Sequence, residues 1–237
     1  MSKTVLVTGA SRGIGYDTAL QLCNAGHKVI AIARTTQGLE SLYNAASKTG
    51  HAGNLVVIPA DISNAIHVDE LVTRIAQMNP TLDVLINNAG ALISKPFSEI
   101  TQEELQSVYS VNVFSPFLLT QKLLPLLRKS GEAHIVNISS VGGVNGTSKF
   151  PGLTAYSSSK GALAILSEVL AEELKDESIR VNCLALGSAQ TEMLSKAFPG
   201  YEAPLSSSEM AKYVAWFAIE GRKYFNGKTL PVAVSTP

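Results

Sequence analysis

The chain has 237 residues, of which 46% are hydrophobic, and 19 basic and 19 acidic side chains leave a formal net charge of zero. This size allows one large α/β core, and the scattered Lys and Arg residues exclude a polybasic membrane patch and the charge footprint of a nucleic-acid-binding protein. The first residues enter a strand pattern without a signal peptide, so we expect a cytoplasmic protein.

Apolar strand-like runs alternate with helical patterns along the chain. The predicted strands are Thr4–Thr8, Lys28–Ala33, Asn54–Asp61, Leu82–Gly90, Ala133–Ser140, Ile179–Leu186 and Lys228–Val234. The predicted helices are one ending near Asn24–Gly26, then Gln37–Lys48, Ala65–Gln77, about Thr101–Lys129, about Ala155–Lys175 and Ser207–Ile219. Near-continuous Val/Ile/Leu strands are typical of a parallel sheet buried on both faces. The pattern predicts one domain over residues 1–237, with a doubly wound parallel sheet of about seven strands and helices on both faces.

Cysteine and histidine usage predicts neither disulfides nor a metal site. Cys23 falls in a helical pattern and Cys183 in a strand pattern, so we expect both to be small buried hydrophobes. The four histidines show no ligand spacing. The most apolar helical segment, Ser115–Lys129, is too short and too polar to span a bilayer.

Glycines and polar residues cluster after the predicted strands. They are Thr8–Gly15, Arg34, Asp61, Asn87–Gly90, Ser139–Ser140 and Leu186–Thr191. Open α/β sheets bind ligands outside the carboxyl ends of their strands. Strand ends are commonly polar, so each segment alone has an ordinary structural explanation, but together they predict a ligand site at one edge of the sheet.

The first of these segments, "TGASRGIG", has three glycines between a strand and a helix. Gly9, Gly13 and Gly15 favour either a phosphate at the helix N-terminus or simply a tight turn. Their spacing matches neither the G-x-G-x-x-G fingerprint nor the Walker motif. The loop alone therefore leaves both interpretations open.

Tyr156 and Lys160 stand one helical turn apart in "YSSSK". A free tyrosine has a pKa near ~10, too high for acid–base work at neutral pH, and a neighbouring ammonium lowers it. We therefore expect Lys160 to lower the pKa of Tyr156. The alternative is a surface helix that carries both residues by chance.

The motifs "TGASRGIG", "NNAG", Asn112 in "SVNVFSPF", a serine before the tyrosine, and "YSSSK" occur in the order found in the short-chain dehydrogenase/reductase family. The chain resembles this family over nearly its whole length. The resemblance implies a Rossmann-like fold and an NAD(P)-dependent oxidoreductase.

The resemblance also implies roles for four residues. Tyr156 would be the general acid in carbonyl reduction and the base in the reverse reaction. Lys160 would lower the pKa of Tyr156 and bind the nicotinamide ribose. Ser140, rather than Ser139, would bind the substrate carbonyl. Asn112 would lie at a break in its helix and hold a water that relays protons to Lys160.

The end of the second strand predicts the cofactor. In this fold an acidic residue there binds the ribose of NAD, whereas an arginine accommodates the 2′-phosphate of NADP. The chain has Arg34 at this point and Arg12 in the glycine loop, and we expect both guanidinium groups to bind the phosphate of NADPH. The cofactor-binding residues implied are Gly9, Ser11, Arg12, Gly13, Ile14, Gly15, Arg34, Asp61, Ile62, Asn88, Ala89, Gly90, Tyr156, Lys160, Gly187, Ala189 and Thr191.

The chain departs from the family pattern near the substrate. Ser140 and Tyr156 lie 16 positions apart, more than is usual, and the extra residues fall in Val144–Leu153. The segment after Thr191 is short and carries Phe198 and Tyr201, which either cover an apolar substrate or pack locally. Leu186-Gly187 replaces the family's Pro-Gly, and the C-terminus "PVAVSTP" lacks Asp-Gly-Gly. These departures leave the substrate open.

The predicted function is NADPH-dependent reduction of a ketone or aldehyde, such as a 3-oxoacyl thioester or a small carbonyl compound. The alternatives are a non-catalytic dinucleotide-binding regulator and an NAD-dependent alcohol dehydrogenase. The expected partner is a small carbonyl or alcohol substrate, with no nucleic acid, membrane or metal. Apolar stripes on the helices around Thr101–Lys129 and Ala155–Lys175 predict a homodimer or homotetramer.

Overall fold

The computed structural model describes residues 1–234, which form a single seven-stranded sheet. Its strands are β1 (Thr4–Thr8), β2 (Lys28–Ala33), β3 (Leu55–Pro59), β4 (Val84–Asn87), β5 (His134–Ser140), β6 (Arg180–Leu186) and β7 (Thr229–Val232). Every neighbouring pair is parallel, and the strand order is β3-β2-β1-β4-β5-β6-β7. The order reverses between β1 and β4, which confirms the predicted doubly wound sheet and places its ligand crevice at that point.

Helices cover both faces of the sheet. They are α1 (Gly13–Asn24), α2 (Thr36–Lys48), α3 (Ala65–Met78), α4 (Gln102–Tyr109), α5 (Ser115–Arg128), α6 (Thr154–Glu173), α7 (Glu192–Ala197) and α8 (Ser207–Glu220). Alternate residues of β1 point into different cores, since Val5 and Val7 pack in one hydrophobic cluster and Leu6 in another. The first cluster includes residues of α1, α2 and α8, and the second includes residues of α3, α5 and α6.

The edge of the sheet differs from the prediction. Burial on both faces is wrong for the two edge strands: in β3, Val56 is 36% exposed and Pro59 is also exposed, and none of the four residues of β7 is buried. An edge strand lies at the limit of the helical layers, so part of it stays in contact with water. The predicted strands Asn54–Asp61 and Leu82–Gly90 were also too long, because their last residues turn out of the sheet into loops. The final residues of the predicted domain and of the C-terminal motif, 235–237, lie outside the described residues.

The helical region predicted over about Thr101–Lys129 is interrupted, in agreement with the break expected at Asn112. A π-helical turn, Ser110–Phe114, separates α4 from α5 and contains Asn112. Four residues after Asn112 stands Pro116, which has no N–H group to donate to the Asn112 carbonyl. The α-helical hydrogen bond therefore cannot form there, which is a local reason for the interruption.

Candidate active site

A cleft of about 690 Å³ lies at the carboxyl end of the sheet, where the strand order reverses. This volume is in the range of small-molecule and cofactor sites. The cleft is lined by every residue that the sequence predicted for the site except Asn112. The strand ends thus bring together segments that are far apart in the chain.

The glycine loop adopts its shape through contacts with the end of β4. Gly9 has φ +69°, and a Cβ on it would lie 2.8 Å from the Ala89 Cα; a Cβ on Gly15 would lie 2.2 Å from Asn88 Nδ2. Glycine is therefore needed at these two positions because a larger side chain would collide with the residues that follow β4. Gly13 is different, because a Cβ there would meet only the Thr191 side chain, at 3.4 Å.

Thr8 organises the same region and was missed from the sequence. Its Oγ1 accepts hydrogen bonds from the N–H groups of Asn88, at 3.0 Å, and Ala89, at 3.1 Å. In return, Asn88 Nδ2 donates to the carbonyls of Thr8 and Gly9. The position of this threonine directly before the first glycine is the sequence feature from which the contact could have been predicted.

Tyr156 lies in the first turn of α6, next to the Ser140 side chain at the end of β5. Burial raises the pKa of Tyr156 above its ordinary value, although the neighbouring Ser140 hydroxyl acts to lower it. The expectation that Lys160 lowers this pKa is thus wrong for this structure, because the loss of hydration dominates. The raised pKa keeps the phenol protonated at neutral pH.

Lys160 is buried next to Tyr156. Its Nζ donates to the Ile138 carbonyl at 2.7 Å and lies 5.8 Å from the centre of the Tyr156 ring. Burial lowers the pKa of the Lys160 ammonium to about 8. Ser139 lies beneath it, and its Oγ donates to the Lys160 carbonyl at 2.8 Å. Of the two serines, Ser140 is the one next to Tyr156, whereas Ser139 is bonded to the main chain.

Asn112 lies behind Lys160 and is fully buried. Its Oδ1 accepts from the Ala91 N–H at 2.8 Å, and its Nδ2 donates to the Ala91 carbonyl and to Ser159 Oγ, both at 2.9 Å. A Cβ on Gly90 would lie 3.6 Å from both Asn112 Oδ1 and Lys160 Nζ. Asn112 is thus next to the site although it does not line the cleft, and both of its amide hydrogens are used.

Four charged groups besides Lys160 line the cleft: Arg34, Asp61, Arg12 and Glu192. Arg34 is exposed at the end of β2. Burial acts to raise the pKa of Asp61, but hydrogen bonds from Ser63 and the nearby charges of Arg34 and His67 outweigh it and lower this pKa. Arg12 Nη1 forms an ion pair with Glu192 Oε2 at 2.7 Å, so this guanidinium, which was expected to be ready for a phosphate, already has an anionic partner.

A family model for short chain dehydrogenases matches residues 3–202 of the chain. The chain belongs to the short-chain dehydrogenase family. This membership confirms the predicted class of enzyme, an oxidoreductase acting on CH–OH and C=O groups.

Individual members of the short-chain dehydrogenase family are similar to this chain over different lengths. The ketoacyl reductase HetN of Nostoc is 34% identical over 78% of this chain and 63% of its own length. A rhamnolipid-biosynthesis 3-oxoacyl-(acyl-carrier-protein) reductase of Pseudomonas aeruginosa is 33% identical over 97% of this chain and 94% of that protein. The solved structure of the P. aeruginosa RhlG/NADP active-site complex has a TM-score of 0.84 and 31% identity, and covers 97% of this chain and 94% of that one.

Further cleft residues of this short-chain dehydrogenase had escaped the sequence analysis. At the start of α2, Thr35, Gln37, Gly38 and Ser41 line the cleft near Arg34. A Cβ on Gly38 would lie 2.5 Å from the Ser11 side chain, so α2 packs directly on the glycine loop. Their position just after the end of β2 could have identified them as cleft residues from the sequence.

Residues 1–234 contain neither a metal-binding cluster nor a helix that could span a membrane. No group of three or more His, Cys, Asp or Glu side chains in this part of the chain is placed to hold a metal ion. None of its helices combines the length and the apolar character needed to cross a membrane.

Proposed function

We propose that the chain is a single-domain, NADPH-dependent carbonyl reductase that converts a ketone or aldehyde to an alcohol. The observation that carries this proposal is the placement of Tyr156 beside Ser140 in the lining of the cleft, with the buried Lys160 next to Tyr156. A protonated phenol beside a hydroxyl is the arrangement needed to bind a carbonyl oxygen and give it a proton.

The residues present fit a nicotinamide dinucleotide with a 2′-phosphate. The N-terminus of α1 has no side-chain cap and no acidic residue in its first turn, so its N–H groups can bind a pyrophosphate. The exposed Arg34 stands where an acidic residue would select NAD. RhlG, which is 31% identical, has been solved as an NADP complex. When bound, NADPH supplies the hydride.

Two side chains of the cleft, Ser140 and Tyr156, bind the substrate and supply the proton. Ser140 Oγ and the Tyr156 hydroxyl hold the substrate oxygen, and Tyr156 gives it a proton as the carbonyl carbon receives the hydride. The product is an alcohol, and Tyr156 is left as a phenolate. The raised pKa of Tyr156 keeps the phenol protonated, which is the form that carbonyl reduction needs, whereas alcohol oxidation would use the phenolate.

Lys160 and Asn112 would return the proton to Tyr156. The Lys160 ammonium, whose pKa is about 8, carries an exchangeable proton near neutral pH, one helical turn from Tyr156. The side chain of Asn112 is already hydrogen-bonded, so a relay water would be held by its main-chain carbonyl. Pro116 removes the α-helical donor to that carbonyl and leaves it able to accept from water.

Homo-oligomerisation is part of the proposal. The helices α5 and α6 expose large apolar side chains, among them Phe117, Leu118, Ile165 and Val169. Such a patch supports a protein–protein contact, and a homodimer or homotetramer would bury it. Sedimentation at micromolar concentration tests this, and a monomer would contradict it. The cytoplasmic location and the absence of a nucleic-acid partner stay predictions.

The proposed activity is tested by NADPH oxidation with a panel of neutral and charged ketones, aldehydes and acetoacetyl thioesters. We compare the wild type with Tyr156→Phe and with Tyr43→Phe, which changes an exposed tyrosine of α2. Turnover should fall by about 10²-fold or more in Tyr156→Phe and stay unchanged in Tyr43→Phe. Tight NADPH binding without turnover would instead support a regulator, and alcohol oxidation with NAD alone would support the dehydrogenase alternative.

A further inference from the structure

Part of the cleft lining is apolar. This part consists of Leu92, Val141, Phe150, Leu153, Met193 and Phe198. The charged lining residues of the described chain are Arg12, Arg34, Asp61, Lys160 and Glu192. Arg12 and Glu192 pair with each other, Lys160 is bonded to a carbonyl, and Arg34 and Asp61 follow β2 and β3. The wall beside the proposed carbonyl position thus offers no partner to a charged substrate.

Phe150 is placed by the inserted segment Val144–Leu153. Lys149 Nζ donates to the carbonyls of Val144, at 2.7 Å, and Thr147, at 3.0 Å. Thr147 Oγ1 donates to the Val144 carbonyl at 2.8 Å and also to the Val141 carbonyl. The ammonium group of Lys149 is therefore held by carbonyls of its own segment. The next residue, Phe150, lines the cleft.

Phe198 is placed by the short segment that follows α7. Its N–H donates to the Leu194 carbonyl at 2.8 Å, and its carbonyl accepts from the Tyr201 N–H at 3.2 Å. The Tyr201 hydroxyl lies 3.1 Å from Ser188 Oγ, and Ser188 is buried just after β6. The position of Phe198 is therefore fixed by hydrogen bonds on both sides.

The two phenylalanine rings meet edge to face, with centroids 5.3 Å apart and an interplanar angle of 77°. They come from the two segments in which the chain departs from its family, the insertion and the short loop after Thr191. Together they form an aromatic clamp, Phe150 and Phe198, over the apolar wall. Aromatic edges and faces bind a flat or alicyclic ring well, and an unpartnered carboxylate loses its hydration there.

We propose that the substrate is a free, uncharged ketone with an aromatic or alicyclic ring beside the carbonyl, bound in this clamp. The inference rests on the proposed reductase function. The contact between the two rings covers the apolar wall, which favours a small free ketone over an acyl chain that stays attached to a large carrier. The clamp thus selects a small free ketone over a carrier-bound acyl chain.

The test compares acetophenone with 4-acetylbenzoate, which share the reacting ketone and differ in one carboxylate, and with acetoacetyl-N-acetylcysteamine. Wild type should have a kcat/KM for acetophenone at least about tenfold above that for either other compound. An equal or reversed preference overturns the proposal of an uncharged ring ketone while the reductase function stands. If no carbonyl of the wider panel is reduced, the proposed function itself fails, and the substrate inference with it.

Variants of Phe198 test whether the aromatic clamp contacts the substrate. Phe198→Ala should raise the KM for acetophenone about five- to tenfold and leave NADPH affinity unchanged. Phe198→Arg should raise the preference for 4-acetylbenzoate over acetophenone by about tenfold or more, since the guanidinium can pair with the carboxylate. Tyr43→Ala is the control on a remote surface. A substrate preference unchanged in both Phe198 variants would exclude the clamp.

Discussion

Arg12 Nη1 and Glu192 Oε2 lie 2.7 Å apart and form an ion pair that joins the glycine loop to α7. The pair crosses the mouth of the cleft in which we propose that NADPH binds. Arg12 therefore has two competing anions, the Glu192 carboxylate and the 2′-phosphate.

Glu192→Gln should tighten NADPH binding. Both side chains of the pair are mostly exposed, at 60% and 62%, so its strength is limited and we expect up to about a fivefold decrease in the NADPH Kd. The Kd for NADH should not change, because NADH lacks the phosphate. Fluorescence titration of both dinucleotides measures this, with Glu202→Gln as an exposed control. Equal effects on NADPH and NADH would contradict the competition.

Arg34→Asp should reverse the cofactor preference. The new carboxylate repels the 2′-phosphate and can accept hydrogen bonds from the ribose of NADH. We expect the NADPH Kd to rise by about tenfold or more and the NADH Kd to fall. The same titration gives both values, with Arg74→Asp on α3 as the control. An unchanged ratio of the two Kd values would disprove the role of Arg34.

Gly9→Ala should destabilise the protein more than Gly26→Ala does. Both glycines have positive φ, +69° and +85°, but a Cβ at position 26 would meet nothing within 4 Å, whereas at position 9 it would collide with Ala89. We expect losses in the free energy of unfolding of about 3 kcal/mol for Gly9→Ala and about 1 kcal/mol for Gly26→Ala. Urea unfolding provides the comparison, and similar losses would mean that the loop relaxes.

Acid should destabilise the protein through His134. Its Nδ1–H donates to the Ala218 carbonyl and its Nε2 accepts from Asn182 Nδ2, both at 3.0 Å, and burial lowers its pKa to about 4. The unfolded chain takes up this proton near pH 6.5, so the stability due to the neutral ring is lost as the pH falls from 6.5 to 4.

His134→Gln removes this titration. Between pH 6.5 and pH 4 the free energy of unfolding of the wild type should fall by about 3 kcal/mol more than that of the variant, since each pKa unit corresponds to about 1.4 kcal/mol. Urea unfolding at several pH values measures both curves. Parallel curves for the two proteins would show that His134 is not held neutral.

The sequence predicted the sheet and the lining of the cleft well, because strand ends and glycines are local signals. It did not predict where β3 and β4 end, since the residues after them leave the sheet only because of tertiary contacts. The pKa of Tyr156 was also beyond reach, because it depends on how deeply α6 buries the phenol rather than on the spacing to Lys160. The family resemblance predicted the interruption at Asn112, and Pro116 supplies a local reason for it.

The hydrogen bonds from Asn88 and Ala89 to Thr8 have a consequence for folding. The first of them joins residues 80 positions apart in the chain. The glycine loop has the appearance of a local strand–turn–helix motif, yet its shape depends on the arrival of β4. Closing so long a segment costs chain entropy before any contact repays it. We therefore expect the glycine loop to become ordered only after β4 has joined β1, although the loop lies almost at the beginning of the chain.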